Sequence, residues 1–505
     1  MIRDALNVIF NMRVGLIIGL FFEKIVFYYP LCYESSRQNL IFILYFGGIV
    51  RLFFVVLFGV ALFFPSVGHT DTLQLTLAQA VSLALAHNPR LEIARQQCLQ
   101  SRGSLTKAWS GYLPQLDVSG GYRRQHVDKL QPLDEDNVGY GSVKLNQLLY
   151  DFGKTTGAID VGRFELEASR ANMYQLYQDV VLDLKKSFYD VMAKKRLVEV
   201  ARLAITIYEQ HLYRAQKYFQ AGVRPKIDVT NARLQLSNAR LDMVQAEANL
   251  KVERKNFEQV LGLRPNECDY LLVSGERSLE KLAAGKPAMS FSLDLLQAAA
   301  MEHRPEMKQV GFLVQSAKAA VGKARGDYFP RLDVGASYDD FETDLESLPD
   351  QWQVGVGLSW QLFSGLRTRG EVARSRAKFY EIQAALHDLE LAITREVAES
   401  YLRADENRVA VDIAAQALGL ARENLDQAEG RYKAGLNDMI EFNDAQLRYT
   451  DAQTRLVTTY YNYLVDLAGI ERATGTTAGL QYAGENDSSP CRVRMQPDTQ
   501  KPLPQ

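Results

Sequence analysis

The chain has only four cysteines in 505 residues, Cys32, Cys98, Cys268 and Cys491, spaced too widely for a disulfide framework or a zinc site. Isolated thiols are the expectation. Its six histidines are scattered, with no His-Glu-x-x-His pair, and there is no Gly-x-Ser-x-Gly elbow and no phosphate-binding loop. No catalytic residue, cofactor site or metal site is expected, so energy for any transport has to come from a partner. The net charge is −2 and no basic block stands out, which argues against a nucleic-acid partner. Past residue 65 no apolar run reaches the ~18 residues of a membrane-spanning helix. Between Gly365 and Gly475 proline is missing altogether.

That proline-free stretch carries a coiled-coil seam. Leu386, Ile393, Val397, Ala404, Val411, Ala414, Leu418, Ala421, Leu425, Ala428 and Tyr432 follow a 4-3 alternation, with Glu390, Ser400 and Asn407 as polar interruptions. The seam breaks at Tyr432-Lys-Ala-Gly-Leu-Asn-Asp and resumes as Phe442, Ala445, Tyr449, Ala452, Leu456, Tyr463, Ile470 and Ala473. A helix of about 65 residues is roughly 100 Å long. Such a length suits the wall of a tube better than ordinary globular packing.

The first 68 residues differ in kind. Arg51 opens an apolar stretch that runs to Phe64, and Ser66 and Gly68 are small residues placed for cleavage. This reads as a secretory signal cut after Gly68. Residues 1–50 fit no such scheme, and a mis-called start near Val50 is favoured over a membrane-anchored extension. No cysteine follows the cleavage site, so no lipid attachment is expected.

The chain is duplicated. Pro114-Gln-Leu-Asp-Val…Tyr122 returns as Pro330-Arg-Leu-Asp-Val…Tyr338, and Asn88-Pro89 returns as Arg304-Pro305. Leu149-Tyr-Asp-Phe-Gly-Lys-Thr-Thr-Gly157 matches Leu362-Phe-Ser-Gly-Leu-Arg-Thr-Arg-Gly370, and Ala221-Gly222 matches Ala434-Gly435. The seam recurs too, from Tyr177, Val180 and Leu184 to Ala215 and Phe219, then from Val229, Ala232, Leu236 and Ala239 to Phe257. Its polar break Glu253 matches Asp466. A repeat of this kind is one structural unit used twice. The expected division is residues 1–68 as extension and signal, 69–262 as first repeat, 263–290 as linker, 291–475 as second repeat and 476–505 as a mobile tail.

Each repeat opens with short helices, about Leu75–Ser110 and Phe291–Asp327. Strand pairs follow, Gln115–His126 with Val138–Tyr150, and Arg331–Phe341 with Gln351–Phe363. In the last of these Trp352, Val354, Val356, Leu358, Trp360 and Leu362 alternate with polar residues or glycine, which suits a membrane barrel. Trp352 and Trp360 read as lipid-facing or interfacial anchors. Four strands cannot close a barrel, and an open edge in lipid leaves backbone groups unpaired. Two chains would give eight strands and a filled interior; three would give twelve and a pore.

On these residues the chain resembles the TolC-type outer-membrane efflux proteins over about Leu75 to Gly475. The resemblance rests on the Pro-x-Leu-Asp-Val strand starts, the Leu-Tyr-Asp-Phe-Gly-Lys and Leu-Phe-Ser-Gly-Leu-Arg junctions, and the two Ala-Gly turns. It implies a mainly α, internally duplicated fold with membrane β: a homotrimer whose twelve strands form one barrel among outer-membrane lipid, and whose long helix hairpins form a coiled-coil α-barrel across the periplasm. It implies a passive exit duct of a tripartite efflux pump or type I secretion system, with a periplasmic adaptor and an inner-membrane transporter as partners. The turns at Ala221, Gly222, Ala434 and Gly435 would be the adaptor-contacting tip. By position, Asp228, Tyr432, Glu441 and Asp444 would be its gate residues, while Asn437 and Arg224-Pro225 depart from the arginine latch of relatives. The competing reading of each acidic residue is a helix cap or a solvated face. A secreted coiled-coil or adaptor protein without a pore is the alternative for the whole chain.

Overall fold

The computed structural model describes residues 73–125, 136–264, 270–273, 278–343, 351–436 and 439–477. The chain divides into two units, Met1–Thr70 and Asp71–Gln505, and all described residues belong to the second. The expected signal, Asn437 and most of the expected tail lie outside them.

Strand β1 (Leu73–Leu75) leads into helices α1 (Leu77–His87) and α2 (Pro89–Trp109). Strands β2 (Gln115–Gln125) and β3 (Asp136–Tyr150) come next, then the long pair α3 (Lys154–Gln220) and α4 (Lys226–Leu261). After β4 (Tyr270–Leu272), which pairs in parallel with β1, the order returns. It runs α5 (Leu293–His303), α6 (Pro305–Gly326), β5 (Arg331–Thr343), β6 (Gln351–Ser359), α7 (Arg367–Lys433) and α8 (Met439–Ala473). Helices α3 and α7 have 67 residues each.

The seams are the contact lines between these helices. Ile393, Val397, Ala404, Val411 and Leu418 of α7 are buried, as are Phe442, Leu456, Tyr463 and Ile470 of α8. In the first repeat Val180, Leu184, Val191, Ala232, Leu236 and Phe257 do the same. Each large aliphatic side chain so buried contributes about 1.5–3 kcal/mol. Phe219, expected at the end of the seam, is 45% exposed, because α3 ends one residue later. Strand β6 stops at Ser359 rather than Phe363, because β5 begins opposite it at Arg331 and offers no further partner. Cys98 is buried and disulfide-bonded, against the isolated-thiol expectation there.

Three open rows result. The strands are antiparallel in the order β2-β3-β5-β6. Beside the sheet the helices lie in the order α2-α3-α6-α7, and farther along, toward the Ala-Gly turns, in the order α4-α3-α8-α7. The two strand-to-helix junctions are built alike, on successive left-handed residues: Phe152 and Gly153 in one, Gly365 and Leu366 in the other. Asp151 Oδ2 accepts the Thr155 amide at 2.8 Å, and Ser364 Oγ accepts the Thr368 amide at 3.4 Å. Each side chain thereby satisfies an amide at a helix start.

Where each short helix pair kinks at its Xaa-Pro, the terminal glycine of the returning long helix packs against it. A Cβ on Gly262 would stand 2.5 Å from the His87 carbonyl oxygen, and one on Gly475 2.9 Å from the Arg304 amide. The kinks themselves have diverged. Asn88 is neutral, capping α2 through the Arg90 amide at 2.9 Å and donating to the Val260 carbonyl at 2.7 Å. Arg304 is 2% exposed and enters a closed ion-pair ring. It contacts Glu306 at 3.1 Å and Glu396 at 2.8 Å, and Arg472 contacts the same two at 2.8 and 2.9 Å. Arg472 also holds Asp179 of α3 at 2.8 Å, so the ring ties the two repeats together.

Candidate functional site

The sequence-derived site lies at the two Ala-Gly turns. Helix α3 ends in a Schellman motif: the Val223 amide donates to the Tyr218 carbonyl at 2.9 Å and the Gly222 amide to the Phe219 carbonyl at 3.0 Å. Helix α7 ends identically, Leu436 donating to Arg431 at 2.9 Å and Gly435 to Tyr432 at 3.1 Å. Gly222 and Gly435 have φ of +71° and +74°, which is why glycine stands there. Ala221, Gly222, Ala434 and Gly435 are all exposed, and among the described residues nothing lies within 4 Å of a Cβ on either glycine.

Tyr432 is the centre of the packing beside the two turns. Its ring is 2% exposed and sits in a cluster with Ala215 of α3, Ala232 of α4, and Met439 and Phe442 of α8. Tyr218 meets it edge-on at 6.3 Å, and the Arg224 guanidinium lies 5.3 Å from its centroid. Burial, helped by the nearby charge of Asp228, pushes its phenol up. Asp228 is itself buried, in the first turn of α4, where the helix dipole favours a carboxylate. Structure thus brings Asp228, Tyr432 and Arg224 together across two repeats.

Glu441 and Asp444 are placed otherwise. Both are exposed on α8, Glu441 facing Arg431 at 3.2 Å and Asp444 facing Arg448 at 2.8 Å. Each carboxylate therefore already has a cation beside it within this one chain.

Sequence reasoning missed a second layer one turn away. His211 is 3% exposed, its ring centroid 3.8 Å from that of Phe442 with the two planes tilted by 40°. Burial, then the charge of Arg214, lowers it to about 4, so it is neutral near pH 7. Glu429 of α7 accepts from both Arg214 and Lys433, the latter at 3.0 Å. Burial pushes Glu429 up, but these bonds outweigh it and hold its carboxyl below the usual range. Histidine at a seam-adjacent position was the available signal, and a lone histidine is too common in cores to use.

At the opposite end the sheet separates its chemistry by face. Leu116, Val118, Trp352, Val354, Val356 and Leu358 are 65–76% exposed on one side. On the other, Asp117, Lys144, Ser337 and Gln353 form one row across all four strands. There Gly335, Gly355 and Gly357 leave a trough of about 410 Å³ beside Lys144, Asn146 and Asp333. An apolar face open to its surroundings and a polar face lined by small residues suit a barrel wall between lipid and a water-filled lumen.

A sheet with a lipid-type face joined to a tube-length helical wall defines an outer-membrane channel protein of the duct class. The family model described as "Outer membrane efflux protein" matches residues 80–263 and 296–476, and the chain belongs to that family. Outer membrane protein TolC of Vibrio cholerae is 22% identical over 412 residues, covering 79% of this chain and 90% of that one. The alkaline protease secretion protein AprF of Pseudomonas aeruginosa is 22% identical, covering 86% and 92%. Among solved structures, the outer membrane protein VceC of Vibrio cholerae matches with a TM-score of 0.68 at 17% identity, covering 79% and 96%. A membrane protein from Pseudomonas aeruginosa gives 0.71 at 18%, covering 80% and 91%. The protein is thus an efflux-type channel of the outer membrane, and the pore-free coiled-coil reading is not favoured.

Proposed function

We propose that three copies of this chain close into one duct that carries cargo out through the outer membrane, driven by an inner-membrane transporter through a periplasmic adaptor. The observation that carries this is the set of open rows. Strands β2 and β6 are sheet edges, and the bilayer does not tolerate unpaired edges. At the level of the turns α4 and α7 are the row ends, and each bears an apolar stripe on the face opposite its seam. On α4 these are Ile227, Leu234, Leu241 and Val252; on α7, Leu402, Val409, Ile413 and Leu420, all 43–68% exposed. Heptad-like spacing on both stripes suits α4 of one copy packing on α7 of the next. Such head-to-tail contacts close into a ring.

In this reading Ala221, Gly222, Ala434 and Gly435 meet the adaptor, and Asp228 and Tyr432 fix the closed tip. Glu441 and Asp444 narrow its entrance, their charge moderated by Arg431 and Arg448. The test is single-channel recording in planar bilayers. Glu441→Gln with Asp444→Asn should weaken cation selectivity and block by multivalent cations, while Glu423→Gln should not. Unchanged selectivity in the double variant would return both residues to solvated helix surface.

A further inference from the structure

We infer that the outer face of α7, just below the sheet, is a seat for an anionic phospholipid headgroup, made by Arg369 and Arg376 beneath Trp360. It rests on the outer-membrane reading of the sheet and adds a lipid class to it. The face is fixed by helical geometry. Along the first part of α7 the side turned to α6 runs through Thr368, Val372, Ser375, Phe379, Ile382 and Leu386, all buried or half-buried. At ~100° per residue, Arg367 and Arg374 fall to one flank of that line and Arg369 and Arg376 to the other. Arg367 Nη2 donates to Gln361 Oε1 at 2.8 Å, following on from the polar face of β6. The Arg367 flank is therefore the lumen side, and Arg369 and Arg376 lie on the side of the apolar face.

Three further observations point the same way. Arg374 is paired with Glu371, whereas Arg369 and Arg376 are exposed and make no ion pair among the described residues. The helix begins at the membrane end, and helical side chains lean toward the N-terminus, so both guanidinium groups tilt toward the bilayer. Arg376 lies about 10 Å below Arg369, within reach by extending along the helix surface. Trp360 is 55% exposed, and its Nε1 donates to the Tyr328 carbonyl at 3.1 Å, which fixes the ring where a membrane-interface aromatic belongs. The duplication keeps the arginine as well: Arg163 stands at the place equivalent to Arg376, exposed and 3.4 Å from Asp160. Planar guanidinium forks match phosphodiester oxygens, and a cation at an anionic membrane surface is worth about fivefold in affinity.

The test uses full-length protein with Trp109→Phe and Trp352→Phe, leaving Trp360 as the single tryptophan, reconstituted in phosphatidylcholine vesicles. Brominated phosphatidylglycerol is compared with brominated phosphatidylcholine at equal mole fraction, by quenching of Trp360 fluorescence. The expected result is a preference for phosphatidylglycerol of about fivefold per arginine, roughly 25-fold for the pair, lost in high salt and in Arg369→Gln/Arg376→Gln. Arg374→Gln, on the lumen flank, should keep it. Equal quenching by the two lipids, or a preference that survives the double variant, overturns the headgroup seat while leaving the membrane sheet intact. No quenching by either lipid would overturn the lipid-facing reading of β6 as well.

Discussion

Asn407 and Asp466, one polar interruption from each of the two seams of the second repeat, are bonded to each other, Asn407 Nδ2 donating to Asp466 Oδ2 at 2.6 Å. Burial raises the Asp466 carboxyl, and the bond from Asn407 offsets part of that. Polar pairs of this kind fix register at some cost in stability. Asn407→Leu alone should leave a half-buried carboxylate short of its partner and cost about 1–3 kcal/mol. Adding Asp466→Leu should recover most of that. Denaturant titration of the four proteins of the cycle would measure the coupling, and purely additive losses would count against the pair.

The glycines divide by what surrounds them. Gly475→Ala would force a methyl against the Arg304 backbone, and Gly262→Ala against His87 and Asn88. Both should lower thermal stability by about 2–4 kcal/mol. Gly435→Ala has the same positive φ but open space among the described residues, so only the left-handed penalty, about 1 kcal/mol, should remain. Equal melting temperatures for Gly475→Ala and Gly435→Ala would refute the close docking at the kink.

Acid should act with opposite sign at the two ends of α8, where Arg472 joins the ion-pair ring and Phe442 meets His211. In the ion-pair ring three carboxylates face two arginines; burial raises Glu306, and burial with the charge of Asp183 raises Asp179. A raised carboxyl stabilises below its unfolded value and loses that contribution as pH rises through its folded value. At the tip His211 is lowered to about 4, so its packing is fully stable above about pH 6.5 and is penalised as pH falls toward 4. Limited proteolysis across pH 7 to 4 should show the turns opening first while the kink at Arg304 stays protected. His211→Gln should flatten the first trend and Glu306→Gln the second. Arg472→Met, which takes the arginine from half-buried Asp179 and leaves Glu306 and Glu396 to Arg304 alone, should cost about 3–5 kcal/mol at neutral pH.

Leu418 and Leu420 separate folding from assembly. Leu418 is 5% exposed within the chain and Leu420 68% exposed on the stripe of α7. Leu418→Asp, like Leu236→Asp, should destabilise the chain itself by several kcal/mol through an unpaired buried charge. Leu420→Asp should leave the helix pair intact and abolish the proposed trimer. Native mass measurement beside circular dichroism distinguishes them, and wild-type trimer in Leu420→Asp would contradict the α4-to-α7 contact.

The sequence was sufficient for whatever depends on short-range periodicity. The seams, the strand alternation and the glycine turns follow from repeat lengths of 3.5 and 2 and from positive φ, all local properties. The duplication made them legible twice, so each half checks the other. Contacts between residues far apart in the chain were not legible. Arg304 and Arg472 resemble ordinary charged residues until five helices bring Asp179, Glu306 and Glu396 around them. The same holds for Tyr432 under Arg224 and for His211 against Phe442, where burial comes from neighbours more than 200 residues away. Local pattern sets which faces are apolar. Only tertiary packing decides which charges lose water together, and desolvation, not residue type, gives those charges their altered chemistry.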